Sequence, residues 1–281
     1  MPAKQRLDLE LLSRRLVVSR QQAQQLIRAG RVRSGDRILD KPGLEVRSGC
    51  ALSIETPPRF VSRGGEKLDA ALEQWPIHVR DRVCLDAGIS TGGFSDCLLQ
   101  RGAARVYGID VGYGQTAWSL RTDPRIVLRE RTNLRRLTPQ LLYGPDDPLP
   151  DLAVADLSFI SLELVLPALM ALLKPLNTSA ASRRDLVLLI KPQFQVGRDR
   201  VGKGGVVRSP EAHLDAIWGV SRAAENLGLR AVGLLASPIT GPAGNHEYLL
   251  WLQDAAEERS IPGDALDLNS INAVVAQALG V

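Results

Sequence analysis

The sequence predicts a doubly wound, mostly parallel α/β sheet preceded by a small, basic α+β domain. Two observations carry the large domain: after Val83, seven apolar β-type runs alternate with helical stretches, and the first run ends in a glycine-rich turn. A third, the distribution of charge, separates the small domain. Residues 1–63 hold 13 Lys/Arg against 6 Asp/Glu, a net +7, whereas the remaining 218 residues carry 22 against 25. A basic piece joined to a near-neutral body has the charge pattern of a polyanion-binding module attached to something else.

Composition narrows the class further. The 281 residues are 44% hydrophobic and 23% charged, enough to bury a sizeable core. No apolar run approaches the roughly 18 residues of a membrane span, and Leu164–Leu173 is short and interrupted by Pro167. The opening MPAKQRLDLE has no apolar signal region. Cys50, Cys84 and Cys97 stand apart and only three histidines occur, which argues against a disulfide framework and against a zinc site. The expectation is a cytoplasmic, metal-free protein.

In the N-terminal piece, RLDLELLSRRL (6–16) sets Leu9, Leu12 and Leu16 at helical spacing. Ser19 then reads as the N-cap of SRQQAQQLIRAG, with Ala23, Leu26 and Ile27 on one face and Gly30 closing the helix. Short β-type runs follow at 31–33, 44–46 and 51–54, separated by SGD and KPG turns. The expected boundaries are a domain at 1–56, a linker at 57–64 opening in Thr56-Pro57-Pro58, a large domain at 65–259 and a tail at 260–281. The tail contains an amphipathic SINAVVAQAL helix.

The strands expected in the large domain are 83–87, 105–110, 125–130, 152–157, 186–191, 229–236 and 247–252. The first ends in DAGISTGGF (86–94), a pattern DxGxSxGGF rather than GxGxxG, which weakens a dinucleotide oxidoreductase. Glycines between strand and helix let backbone N–H groups approach a ligand. Asp110, ending the second strand 22 residues beyond Gly88, can accept hydrogen bonds from both hydroxyls of a ribose. Turn and carboxylate together point to a nucleoside-containing cofactor. Further polar residues sit at strand ends, where open α/β sheets keep their chemistry: Asp156, Lys191 and Glu247, with Lys67 on a helix before the sheet. The four tryptophans are scattered and form no stacking platform, and His246 reads as a local hydrogen-bonding residue.

The strings RLD, SRQQAQQLIRAGRV and KPGLEV across residues 6–54 resemble the S-four-type RNA-binding domain, with Ser34-Gly35 where that family usually has Asn-Gly or Asp-Gly. Gly35 still permits φ > 0 there. The resemblance implies a surface for ribosomal RNA, and Arg6, Arg14, Arg15, Arg20, Arg28, Arg31 and Arg33 supply cations suited to phosphates.

Residues 60–252 resemble the hemolysin A (TlyA) family of ribosomal RNA methyltransferases. The strings are VSRGGEKL, LDAGISTGGFSDCLLQRGA, GIDVGYGQTAWSLRTDPR, ERTNLR, ADLSFISL, LIKPQFQVGR and GNHEYLLWL. The resemblance implies an FtsJ/RrmJ-like, Rossmann-like domain that uses S-adenosylmethionine to methylate a ribose 2′-OH of ribosomal RNA, with cytidine as target. It implies a Lys67, Asp156, Lys191, Glu247 tetrad. Lys191 would be the base, Lys67 the second cation, Asp156 the group orienting Lys191, and Glu247 a partner of Lys67 or of the ribose. A lysine base needs its proton removed near neutrality, against an ordinary pKa of about 10.4. For the cofactor it implies Asp86, Gly88, Ser90, Thr91, Gly92, Gly93, Phe94, Asp110, Asn133 and Asp156. Ile89 replaces the usual alanine, which implies a slightly narrower cleft.

Two other classes compete: a non-catalytic RNA-binding assembly factor, opposed by the intact tetrad, and a cytolysin, opposed by the lack of a spanning segment or a long basic amphipathic helix. The basic loop QVGRDRVGKGGVVRSP (195–210) reads either as a lid over RNA or as a plain connector. The sequence leaves the target nucleotide and the oligomeric state open.

Overall fold

The computed structural model describes residues 4–55, 58–175, 183–254 and 266–281. It divides into two units, residues 1–59 and 60–281. The expected boundaries at 56/57 and 259/260 fall outside the described residues.

The first unit runs β1 (Lys4–Arg6), α1 (Leu7–Ser13), α2 (Arg20–Arg28), β2 (Val32–Ser34), β3 (Arg37–Ile38), β4 (Glu45–Arg47) and β5 (Ser53–Ile54). The expected small sheet is two sheets: β1 pairs antiparallel with β4, and β2 lies between β3 and β5. Ser19 caps α2 by accepting the Gln22 N–H at 3.1 Å, and Gly30 turns the chain away at φ +69°. Gly35 adopts φ +59° in the β2–β3 turn, as its permissive backbone allows. The first helix differs from expectation. It begins at Leu7 and stops before Arg14, so Leu7 and Leu11, four apart, are its core contacts, while Leu16 lies beyond the helix end and is exposed. With Val17, Ala23, Ile27, Val32, Leu39 and Val46 they form the unit's core.

In the second unit α3 (Gly64–Gln74) precedes β6 (Val83–Ala87), α4 (Gly93–Gln100), β7 (Arg105–Ile109), α5 (Trp118–Arg121), β8 (Ile126–Arg129) and α6 (Pro139–Leu142). Then come β9 (Leu152–Ala155), α7 (Leu166–Leu172), β10 (Asp185–Ile190), α8 (Pro210–Glu225), β11 (Leu229–Ala236), β12 (Tyr248–Asp254) and α9 (Leu268–Leu279). All seven expected strands form, in the order β11-β12-β10-β9-β6-β7-β8. The sheet is parallel except that β12 runs antiparallel to both β10 and β11.

Alternation through the sheet builds two cores. Leu186, Leu188 and Ile190 of β10 join the core under α7, α8 and α9, while Val187 and Leu189 join the core under α3 and α4. Every residue of β10 is buried, as a central strand covered on both faces requires. Two of the tryptophans do pair: Trp75 stacks on Trp251 at 5.6 Å, its ring lying where a Cβ on Gly233 would stand. Both are buried, so this pair is packing inside the core.

Candidate active site

The charged residues of the sheet stand at one edge. Asp110, Asp156 and Lys191 each follow the last residue of a parallel strand, β7, β9 and β10. Glu247 precedes β12, and because β12 is reversed its beginning lies at the same edge, with Tyr248 opposite Ile190 in register. The N-terminus of α3 joins them: a Cβ on Gly64 would lie 3.8 Å from Asp156 Oδ2, and Lys67 is one turn further along.

The four tetrad residues form two ion pairs. Lys67 Nζ donates to Glu247 Oε2 at 2.5 Å, with both side chains buried. Lys191 Nζ lies 2.6 Å from Asp156 Oδ1 and donates to Ser158 Oγ at 3.0 Å. The 2.6 Å contact is an ion pair, and its carboxylate oxygen is buried. Glu247 thus holds Lys67, one of the two roles expected of it.

Beside these pairs opens a cavity of about 320 Å3, lined by Gly88, Ser90, Asp110, Gln115, Thr132, Asp156, Ser158 and Phe159 among others. Its size is that of a small-molecule site. Asp110 stands in it with Oδ2 accepting Ser90 N–H at 2.8 Å and Oδ1 accepting Gly112 N–H at 2.7 Å. These bonds fix the carboxylate and leave each oxygen a further lone pair for a ribose diol. A smaller cavity of about 80 Å3 is lined by Ser62, Thr91, Gly93 and Phe94 together with Gly88, Ser90 and Asp156.

The glycine turn is required by close packing. A Cβ on Gly88, which has φ +83°, would meet the Asp156 carbonyl oxygen at 2.7 Å, and one on Gly93 would meet Ser62 Oγ at 2.3 Å. Ser90 takes φ +48°, a conformation rare without glycine, and this turns its N–H onto Asp110.

Three residues expected at the cofactor line neither cavity. Asp86 is wholly buried behind the turn, where Ser95 Oγ donates to Oδ2 at 2.7 Å and Oδ1 has no hydrogen-bond partner among the described residues. Burial pushes its pKa up to about 7, against the Ser95 hydrogen bond. Gly92 provides room for Leu120. Asn133 is exposed and accepts the Arg135 N–H, while its neighbours Thr132 and Leu134 line the cavity. Ile89 lines the smaller cavity, and its side chain is buried against Gly108, whose missing Cβ makes the room. Ser62, Gln115, Thr132, Leu157, Ser158 and Phe159 are lining residues that the sequence reading passed over. Several belong to the strings VSRGGEKL and ADLSFISL, in which only charged residues drew notice.

In the first unit the arginines divide. Arg6 and Arg20 both bond Asp8, which is fully buried, at 3.0 and 2.9 Å; the Arg6 guanidinium foremost holds that carboxyl far below its usual pKa. Arg14 bonds Glu10 and the Cys50 carbonyl, and Arg33 bonds Glu55. Among the described residues Arg15, Arg28 and Arg31 form no ion pair, and Arg15 and Arg28 are exposed.

Sheet order, a glycine turn bonded to the Asp110 carboxylate and two lysine–carboxylate pairs at the carboxyl edge together define the class: an α/β methyltransferase. The chain belongs to the FtsJ-like methyltransferase family, whose model matches residues 60–254, and an S4 domain model matches residues 5–49. A Mycobacterium tuberculosis relative, named 16S/23S rRNA (cytidine-2'-O)-methyltransferase TlyA, is 51% identical over 255 residues, covering 90% of this chain and 91% of its own. Hemolysin A of Brachyspira hyodysenteriae is 35% identical over 244 residues, 87% of this chain and 98% of its own. A solved Streptococcus thermophilus structure, described as a hemolysin candidate, has TM-score 0.70 and 38% identity, covering 99% of this chain and 96% of that one. Among the described residues no helix is long and apolar enough to cross a membrane.

Proposed function

We propose that this enzyme transfers the methyl group of S-adenosylmethionine to the ribose 2′-OH of a cytidine in ribosomal RNA. The observation that carries the reading is the pairing of Lys191 with Asp156 and of Lys67 with Glu247 at the sheet edge that also bears the Asp110 cavity. The name of the M. tuberculosis relative supports both the target atom and the nucleotide.

The lining fits this cofactor. Asp110 offers acceptors to a ribose diol, and Asp156, which lines the cavity, offers negative charge to a cationic end. When bound, S-adenosylmethionine supplies a methyl group on a positively charged sulfur. Lys191, once its ammonium has released a proton to solvent, takes the 2′-OH proton on Nζ, and Asp156 with Ser158 fixes where that nitrogen points. Lys67, held by Glu247, stabilises the negative charge that develops on the ribose oxygen. Arg15, Arg28 and Arg31, with the outer edges of Arg6 and Arg20, give the first unit its phosphate contacts.

The test is mass mapping of 2′-O-methyl groups on ribosomal RNA from cells with and without the protein. One or more cytidines should lose the mark in its absence, and an unchanged map would overturn the assignment.

A further inference from the structure

The loop after β10 carries Arg198, Arg200, Lys203 and Arg208. Read from sequence it is a lid or a connector; in the structure it is built into the sheet edge. A tight turn closes it, with Gly205 N–H donating to the Gly202 carbonyl and Gly202 N–H to the Val206 carbonyl, at 3.1 and 2.9 Å. Asn245, only 1% exposed, then grips the returning segment with both ends of its amide. Its Oδ1 accepts Val207 N–H at 3.0 Å, and its Nδ2 donates to the Gly205 carbonyl at 2.8 Å. His213, with no exposed surface, bonds the Val207 carbonyl through Nε2 at 3.0 Å and Tyr248 Oη through Nδ1 at 2.9 Å. Burial lowers the His213 pKa, which keeps the ring neutral between these partners.

The anchors are specific in place. The loop departs from Lys191, a member of one ion pair, and is pinned by Asn245 and Tyr248, which flank Glu247 of the other. Its cations are therefore registered to both lysine–carboxylate pairs by short, buried contacts. Arg200 is neutralised by Asp215 at 2.6 Å. Arg198, Lys203 and Arg208 are exposed and, among the described residues, form no ion pair. Asp199 is exposed in the same segment, so with Arg200 matched by Asp215 the arm keeps a net charge of +2; holding it in place beside an active site gives a polyanion a fixed place to bind, with little ordering cost on association.

We propose that residues 198–208 form a fixed cationic arm that binds the phosphate backbone of the substrate RNA beside the acceptor ribose, with Asn245 as the positioning residue that sets the arm against the catalytic edge. This rests on the RNA-methyltransferase reading above and adds a contact surface to it within the second unit. The arm acts on docking and alignment, since none of its cations lines either cavity.

The experiment uses the full chain with ribosomal subunits and labelled S-adenosylmethionine. Replacing the three exposed cations together (Arg198→Gln, Lys203→Gln, Arg208→Gln) should raise KM for subunits about tenfold with kcat held within about twofold. The slope of log K against log salt should fall by about 2 to 3, the loss expected for three phosphate contacts. Asn245→Ala should raise KM similarly, yet add almost nothing on the triple-variant background, because its effect passes through the arm. A triple variant with wild-type KM and salt slope would overturn the arm while leaving the methyltransferase standing. Additive losses from Asn245→Ala would overturn its positioning role. Wild-type protein that neither binds nor methylates ribosomal RNA would overturn the functional reading itself, and the arm with it. Cofactor affinity measured by calorimetry on each variant separates these results from misfolding.

Discussion

Lys67 and Glu247 stand 180 residues apart in sequence and 2.5 Å apart in the fold, as a buried ion pair. Removing one partner of such a pair strands the other charge away from water, at a typical cost of about 3–5 kcal/mol. Glu247→Gln should therefore destabilise the second unit by about that amount in urea unfolding. The double variant Lys67→Met/Glu247→Gln should recover most of the stability and none of the methyl transfer. Recovery of both would mean that the pair is structural only.

Lys191→Ala should abolish methyl transfer while cofactor affinity stays near wild type, because the 2′-OH then keeps its proton and Asp110 is untouched. Single-turnover assays with labelled cofactor decide this. Near-wild-type turnover would remove Lys191 from the role of base.

Asp110→Ala should weaken cofactor binding by about 1.5–3 kcal/mol for each charge-assisted hydrogen bond lost, roughly 10- to 150-fold. Asp110→Asn should lose less, since its amide oxygen still accepts one of the two backbone N–H groups that Asp110 holds. Isothermal titration measures both; unchanged affinity in the alanine variant would move the ribose contact elsewhere.

Asp86 gives the protein a pH dependence. Its folded pKa, about 7, lies above its unfolded value near 3.8, so the folded state holds the proton more tightly. The stability this contributes is fully present below pH 4, is lost as pH rises to about 7, and is constant beyond. A difference of about three units corresponds to about 4 kcal/mol. Asp86→Asn should flatten this part of the stability curve and leave the variant more stable than wild type at pH 8, as followed by urea midpoints. A variant that tracks the wild-type slope would show that another group titrates.

Removing residues 1–56 deletes 11 basic and 6 acidic residues but none of the tetrad. The remainder should bind cofactor with wild-type affinity, bind ribosomal RNA more weakly and with a shallower salt dependence, and methylate subunits poorly. Filter binding across a salt series checks it. Full activity in the truncated chain would assign RNA docking to the second unit alone.

Sequence by itself determined the strands, because a central strand such as β10 is covered on both faces and runs apolar from Leu186 to Ile190. It also determined the turn at Gly88 and the identity of the charged residues at strand ends. Neighbouring positions in a motif have different fates, which sequence does not distinguish. Asp86 and Asn133 carry polar groups in the right strings, yet one points into the core beneath the turn and the other caps a 3-10 turn outside the cavity. Periodicity also misassigned the face of α1, since the helix ends at Ser13 and leaves Leu16 outside it.

Which residues meet was decided by topology. In an all-parallel sheet a residue preceding its strand lies at the amino edge, far from Asp110, Asp156 and Lys191. The reversal of β12 carries Glu247 to the carboxyl edge, opposite the end of β10, where it reaches Lys67 on α3. Strand direction depends on which edges and faces remain to be paired once the other strands are in place. That is a property of the assembled sheet and of no local run of residues. Sequence therefore named the two lysines and two carboxylates, and the antiparallel strand made them neighbours.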